Sequence, residues 1–144
     1  MKQYATLALT LFLTAACSSH SNDDTITAVE IMINNSDFDA AQRACDKLVA
    51  DSASNQLSAS QWGQLAITYM HLAENINEDD NTALATQCYR KAFATDCDSA
   101  TAFFDNIGIE EAAFAHTLLM LSSSIDTPAD LLDFEADTIP SDIN

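Results

Sequence analysis

The hydrophobic positions of this chain follow two patterns. Residues 5–16 form a nearly unbroken apolar run, whereas from Thr25 onward apolar residues recur every three or four positions. The second spacing places apolar side chains on one face of an α-helix and is typical of amphipathic helices. It predicts six helices, which we place at about 25–34, 37–50, 59–73, 82–94, 99–104 and 109–123.

Polar residues mark where several of these helices begin. Ser36 with Asp39, and Ser58 with Gln61, have the spacing of a capping box, in which side chains bond free backbone N–H groups of the first helical turn. The short fifth helix would begin at Asp98 or Ser99. The acidic stretch 75–81 is predicted as a loop between the third and fourth helices.

The apolar stripe of a helix predicts which side faces the core. On the third helix, the inward residues are expected to be Trp62, Leu65, Ala66, Tyr69, Met70 and Ala73. On the sixth helix, they are expected to be Ala112, Ala113, Ala115, His116, Leu119 and Met120, or neighbours of these. The aromatic stripe residues Trp62, Tyr69, Tyr89 and Phe93 are interpreted as core rather than as a binding site.

Composition supports an all-α fold. The chain has only two Gly and two Pro, and its β-branched residues form no alternating runs. We expect one helical domain over residues 25–125 and an acidic tail over 126–144. Within that tail, Thr127 followed by Pro128 predicts the start of a short closing helix through Phe134, which could cover the open end of the domain.

The N-terminus has the pattern of a secretory signal. Lys2 precedes the apolar run, which is too short to span a bilayer core of roughly 30 Å. The run ends at Ala16-Cys17 in a stretch, from Leu13, that resembles the lipobox of bacterial lipoproteins, with Thr14 where Leu is commonest. This resemblance implies removal of residues 1–16 and acyl chains on Cys17. Plain signal cleavage that leaves Cys17 free is the alternative.

The resemblance to lipoproteins also implies a location in the cell envelope. Residues 17–24 are polar and are interpreted as a flexible tether between the lipid and the domain. Ser18 stands where an Asp would retain some lipoproteins at the inner membrane, so we expect anchoring at the outer membrane. Asp23-Asp24 is similar to signals for surface export, which leaves both the periplasmic face and the cell surface open.

The chain is strongly acidic, with a formal charge of −17 at neutral pH. Loss of Lys2 with the signal would leave four basic residues against 22 acidic ones. Such a charge argues against nucleic-acid binding and against lying flat on an anionic membrane. It favours cationic or calcium-linked partners, or serves only to keep a secreted protein soluble.

The second and fourth predicted helices share a pattern of small and large residues. Ala41-x3-Cys45-x2-Leu48 aligns with Ala85-x3-Tyr89-x2-Ala92, and Trp62-x2-Leu65-Ala66-x2-Tyr69 precedes the second of these. These residues resemble the tetratricopeptide repeat (TPR), with Ala66 where Gly is usual and Cys97 near the place of the usual Pro. The resemblance implies antiparallel helix pairs stacked as a short solenoid of about three repeats. An unrelated six-helix domain is the alternative.

Candidate chemistry is sparse. The sequence has no phosphate-binding Gly-rich loop and neither H-E-x-x-H nor C-x-x-C. His71 and Glu74 share a helix face, but no third metal ligand is evident. The loop from Asn75 to Asp80 has oxygen-bearing side chains at alternate positions, but a calcium loop needs Gly where Asp80 stands. We therefore expect no metal and no cofactor.

Three cysteines remain beside Cys17. An envelope compartment permits a disulfide between Cys88 and Cys97, or between Cys45 and Cys88, and equally permits free thiols. No histidine is placed to activate a nucleophilic thiol, so an enzyme is not expected. The sequence favours a non-catalytic module that binds a protein or peptide of an envelope complex. The alternative is a small-molecule or glycan-binding lipoprotein that serves a transporter.

Overall fold

The computed structural model describes residues 17–54 and 56–124, and in this part of the chain it contains helices and no strand. The all-α prediction is confirmed. The helices are α1 (Cys17–Asn34), α2 (Phe38–Ala50), α3 (Ala59–Ala73), α4 (Glu78–Thr95), α5 (Cys97–Asp105) and α6 (Ala112–Ser124), with a 3₁₀ turn at Asp51–Ala53. The predicted signal peptide and the predicted closing helix from Thr127 to Phe134 lie outside the described residues.

Helix α1 begins earlier than the apolar spacing predicts. Residues 17–24, which we expected to form a flexible tether, belong to α1. The reason is that this stretch packs against the rest of the fold. Asn22 is only 3% exposed, and the Asp23 carboxylate accepts a hydrogen bond from Nε2 of Gln61. One turn later, Ile26 and Val29 enter the core.

The helix starts agree with the capping predictions only in part. The Ser58–Gln61 capping box is confirmed, with Oγ of Ser58 accepting from the Gln61 N–H and Oε1 of Gln61 accepting from the Ser58 N–H. The prediction for α2 is wrong by one residue. Asp37 caps it by accepting from the Ala40 N–H, while Ser36 takes a positive φ of 62° in the preceding turn.

The starts of α4 and α5 also differ from prediction. The acidic residues Glu78, Asp79 and Asp80, predicted as loop, form the first turn of α4. Negative side chains are favoured there because the N-terminal end of a helix carries partial positive charge. The N-cap of α5 is Asp96, which accepts from the Ser99 N–H, rather than Asp98 or Ser99.

Helix α3 is the centre of the molecule and contacts all five other helices. Twelve of its 15 residues are buried, because neighbouring helices cover most of its circumference. Trp62 and Tyr69 lie in the core as predicted, and Tyr89 of α4 joins them. Phe93 is partly buried and packs beside Tyr89, with ring centroids 4.9 Å apart.

Helix α6 buries a different face from the one predicted. Leu118 is fully buried, whereas Leu119 and Met120 are 50% and 60% exposed. Of the other residues predicted inward, Ala112, Ala113 and His116 are exposed and Ala115 is half-buried. The guanidinium of Arg90 on α4 donates to the carbonyl of Ser122 and helps to set this orientation.

Candidate functional site

A groove of about 440 Å³ runs across α3 and is open to solvent. We call it the inner groove. It is bounded by α1 on one side and by α5 with the following turn on the other. Its lining residues are Glu30, Ile33, Asn34, Gln64, Ile67, Thr68, His71, Phe103, Asn106, Ile107 and Glu111. Helices α2 and α4 contribute no residue to this lining.

The floor of the inner groove is one stripe of α3. Gln64, Ile67, Thr68 and His71 are separated by three, one and three positions, which places them on the same helix face. The opposite face of α3, with residues such as Trp62, Ala66 and Tyr69, packs into the core. The groove floor is therefore fixed by the same helix that organises the fold.

His71 closes one end of the groove through two contacts. Its Nε2 lies 3.3 Å from Oε1 of Glu111, and its ring meets Phe114 edge-on with centroids 4.9 Å apart. The Glu111 N–H donates to the carbonyl of Gly108, so the carboxylate projects from a hydrogen-bonded turn. The sequence places His71 and Glu74 on one helix face without a third metal ligand, and in the structure the partner of His71 is Glu111, 40 positions away.

Two side-chain amides in the groove are available to a ligand. Asn34 on α1 and Gln64 on α3 make no side-chain hydrogen bond within the described residues. Asn106 uses its Nδ2 to donate to the carbonyl of Ala102, while Thr68 donates its hydroxyl to the carbonyl of Gln64. A free amide group both donates and accepts, which matches the backbone of a bound peptide.

The cysteines show no arrangement for nucleophilic chemistry. In the described part of the chain Cys45, Cys88 and Cys97 are free thiols, and the first two are buried. Burial raises the pKa of both Cys45 and Cys88 to about 12, and the Asp46 carboxylate adds to the effect at Cys45. Such thiols stay protonated at neutral pH, and a protonated thiol is a weak nucleophile.

The stretch from Asn75 to Asp80, compared above with a calcium loop, and the adjoining Asn81 form local hydrogen bonds. The Asn75 amide donates to the carbonyl of His71, and the Asn81 amide donates to the carbonyl of Ile76. Asn77 takes a left-handed conformation at the N-cap of α4. Within residues 17–54 and 56–124, no three His, Cys, Asp or Glu residues are grouped to hold a metal ion.

Sequence reasoning did not identify most of the groove. Glu30, Asn34, Phe103 and Glu111 were not singled out, although each stands beside a predicted helix stripe. Cys17, the predicted lipidation site, begins α1. It lies outside the inner groove, whose first lining residue is Glu30.

Comparisons with known proteins give no relative: no protein family, no curated protein and no solved structure matches the chain. None of the helices in the described residues has the length and apolar character needed to cross a bilayer.

Proposed function

We propose that this chain is a non-catalytic lipoprotein of the outer membrane whose inner groove binds a peptide or protein segment of an envelope complex. The observation that carries the proposal is the composition of the groove. Its lining comes from α1, α3, α5 and the turn after α5, and it combines apolar side chains with free amides. An extended peptide needs both, because its backbone must be hydrogen-bonded and its side chains need apolar contact.

The helix contacts favour TPR-like pairing of a first with a second helix in α1–α2 and α3–α4. Helices α5 and α6, the first and second helices of a third pair, pack mainly against α3 and α4 rather than against each other. The first helices contact one another in the order α1, α3, α5, and among the second helices α4 contacts α6. The small residues Ala41, Ala85 and Ala92, which carry the repeat resemblance, are fully buried between helices. In such a stack the first helices share one face, and the inner groove lies on it.

Lipid attachment at Cys17 would hold this groove close to a membrane. Asn22 is already buried in the fold, so only about five residues separate Cys17 from packed structure. Several acyl chains on one residue anchor a protein firmly, at about 0.8 kcal/mol for each buried methylene. Mass spectrometry of the mature protein should find residues 17–144 with acyl groups, and an uncut, unmodified chain would contradict this part of the proposal.

Site-specific photo-crosslinking tests the groove. A photoreactive phenylalanine analogue replaces Gln64 in the full-length protein, and a second variant carries it at Gln87, which is exposed on α4. We expect an envelope protein to be crosslinked through position 64 and not through position 87. Equal crosslinking at both positions, or none at position 64, would count against the groove as the binding site.

A second candidate function is binding of a small molecule or glycan for a transporter. The volume of the inner groove favours it, since about 440 Å³ lies within the range of small-ligand pockets, roughly 300–1,000 Å³. Thermal stabilisation of the full-length protein by a compound, lost on substitution of Gln64 and Thr68 by Ala, would support this candidate. A protein crosslink at position 64 that no compound displaces would exclude it.

A further inference from the structure

The inner groove carries negative charge on both of its sides. Glu30 projects from α1, and Glu111 projects from the turn after α5. Glu111 has His71 beside it, whereas Glu30 forms no ion pair with any described residue. No lysine or arginine lines the groove. A ligand in the groove would therefore meet two carboxylates, of which that of Glu30 has no ionic partner among the described residues.

The lysines and arginines of the described chain are all on the second helices. Arg43 and Lys47 lie on α2, and Arg90 and Lys91 lie on α4. Three of them have partners within the fold. The Lys47 ammonium pairs with Asp51 at 2.6 Å, Arg90 bonds to the carbonyl of Ser122, and the Lys91 ammonium lies 4.5 Å from the ring centre of Trp62. Helices α1, α3 and α5 contain no lysine or arginine.

This separation of charge identifies the chemistry of the partner. We propose that the inner groove binds a basic segment of a protein, an extended stretch whose Arg or Lys side chains reach Glu30 and Glu111. The inference rests on the proposed peptide-binding function and specifies its ligand. Phe103 lines the same groove and adds an aromatic ring to which a guanidinium or ammonium group is attracted. The free amides of Asn34 and Gln64 bond the backbone of the segment.

Fluorescent peptides measure this preference directly. One short Ala/Ser peptide carries three Arg residues, a second carries citrulline at the same positions, and a third carries Glu. Citrulline keeps the shape and most hydrogen-bond donors of Arg but has no charge. The difference in affinity between the Arg and citrulline peptides therefore measures the contribution of the charge. We expect the full-length protein to bind the Arg peptide about tenfold more tightly than the citrulline peptide at low salt, and to reject the Glu peptide.

Matched variants separate the groove from the overall acidity of the chain. The double variant Glu30→Gln, Glu111→Gln removes two negative charges from the groove and leaves an amide oxygen beside His71. The control Glu78→Gln, Asp79→Asn removes two negative charges from the first turn of α4, outside the groove. We expect the groove variant to lose about tenfold in affinity for the Arg peptide and the control to lose less than about twofold.

Each outcome separates this inference from the proposed function. Equal losses in the two double variants would mean that basic peptides follow the overall charge, which would overturn the groove as a site for basic side chains. Tight binding of the citrulline or Glu peptide, with crosslinking through position 64, would overturn the basic preference and leave the peptide-binding function standing. If peptides of every charge fail to crosslink at position 64, both proposals fall.

Discussion

The ring of Phe103 lies against the backbone of Gly63. A Cβ atom on Gly63 would stand 2.5 Å from Cδ1 of Phe103 and 2.7 Å from its Cε1, well inside the 3.5–4.0 Å at which carbon atoms normally meet. Gly63 is buried in α3, and Phe103 belongs to α5 and lines the inner groove. The absence of a side chain at position 63 therefore sets how closely α5 approaches α3.

Gly63→Ala should destabilise the protein although alanine favours helix formation. The propensity gain is about 1 kcal/mol, and displacing the packed ring costs about 1–3 kcal/mol, so we expect a net loss near 1 kcal/mol by urea unfolding. Gly108→Ala is the control. A Cβ atom added to Gly108 would have no neighbouring atom within 4 Å, and Gly108 does not have a positive φ. A Gly63→Ala variant as stable as wild type would show that Phe103 moves freely.

Leu118→Ala and Leu119→Ala form a matched pair on α6. Leu118 is fully buried and Leu119 is 50% exposed, yet the two substitutions change the same atoms on the same helix. We expect Leu118→Ala to cost about 2–5 kcal/mol and Leu119→Ala less than about 1 kcal/mol in chemical unfolding. A larger loss of stability for Leu119→Ala than for Leu118→Ala would indicate that α6 buries the face predicted from the sequence.

Tyr69 joins α3 to α2 through its hydroxyl. Its Oη donates to Oδ1 of Asp46 at 2.8 Å, and Nε2 of Gln42 donates to the same oxygen at 3.0 Å. Burial, followed by this hydrogen bond, raises the pKa of Tyr69 above its ordinary value. Tyr69→Phe keeps the packed ring and removes the donor. The free energy of unfolding should therefore fall by about 1 kcal/mol. An unchanged midpoint in denaturant would contradict a stabilising role for this bond.

The buried thiols make stability depend on alkaline pH. The pKa of Cys45 and of Cys88 rises from 9.0 to about 12 on folding, mainly because burial disfavours the thiolate. The folded state therefore holds these protons more tightly. The resulting stability is complete below pH 9 and is lost as pH rises from 9 towards 12, by roughly 1 kcal/mol for each thiol at pH 10.

The loss of unfolding free energy between pH 8 and pH 10, compared among three proteins, measures that effect. Urea unfolding at pH 8 and pH 10, in reducing buffer, should show a smaller loss for Cys45→Ala, Cys88→Ala than for wild type. Cys97→Ala is the control, because Cys97 is exposed and its removal should leave the slope unchanged. Identical slopes in all three proteins would mean that the buried thiols do not titrate in this range.

Features that depend on neighbouring residues were predictable from the sequence. The Ser58–Gln61 capping box needs only two side chains three positions apart, and the spacing from Trp62 to Tyr69 identifies a core-facing stripe. Where several polar residues compete within one turn, as Asp96, Asp98 and Ser99 do, the pattern locates the helix start but does not choose the cap.

Features that depend on distant residues were not predictable. Helix α6 is apolar on most of its circumference, so its periodicity does not select Leu118 over Leu119; contact with α4 decides. The stripe of Gln64 and His71 is visible in the sequence, but the groove requires walls from α1 and α5. The partner of His71 lies 40 residues away, and no local spacing indicates it.

Helix α1 is unbroken from Cys17 to Asn34, a rod of about 27 Å at 1.5 Å per residue. Its far end supplies Ile33 and Asn34 to the groove wall. The same helix packs against α2 and α3. A change in the angle between α1 and α3 would therefore move Ile33 and Asn34 relative to the groove floor, and the width of the groove depends on how firmly this one helix is held.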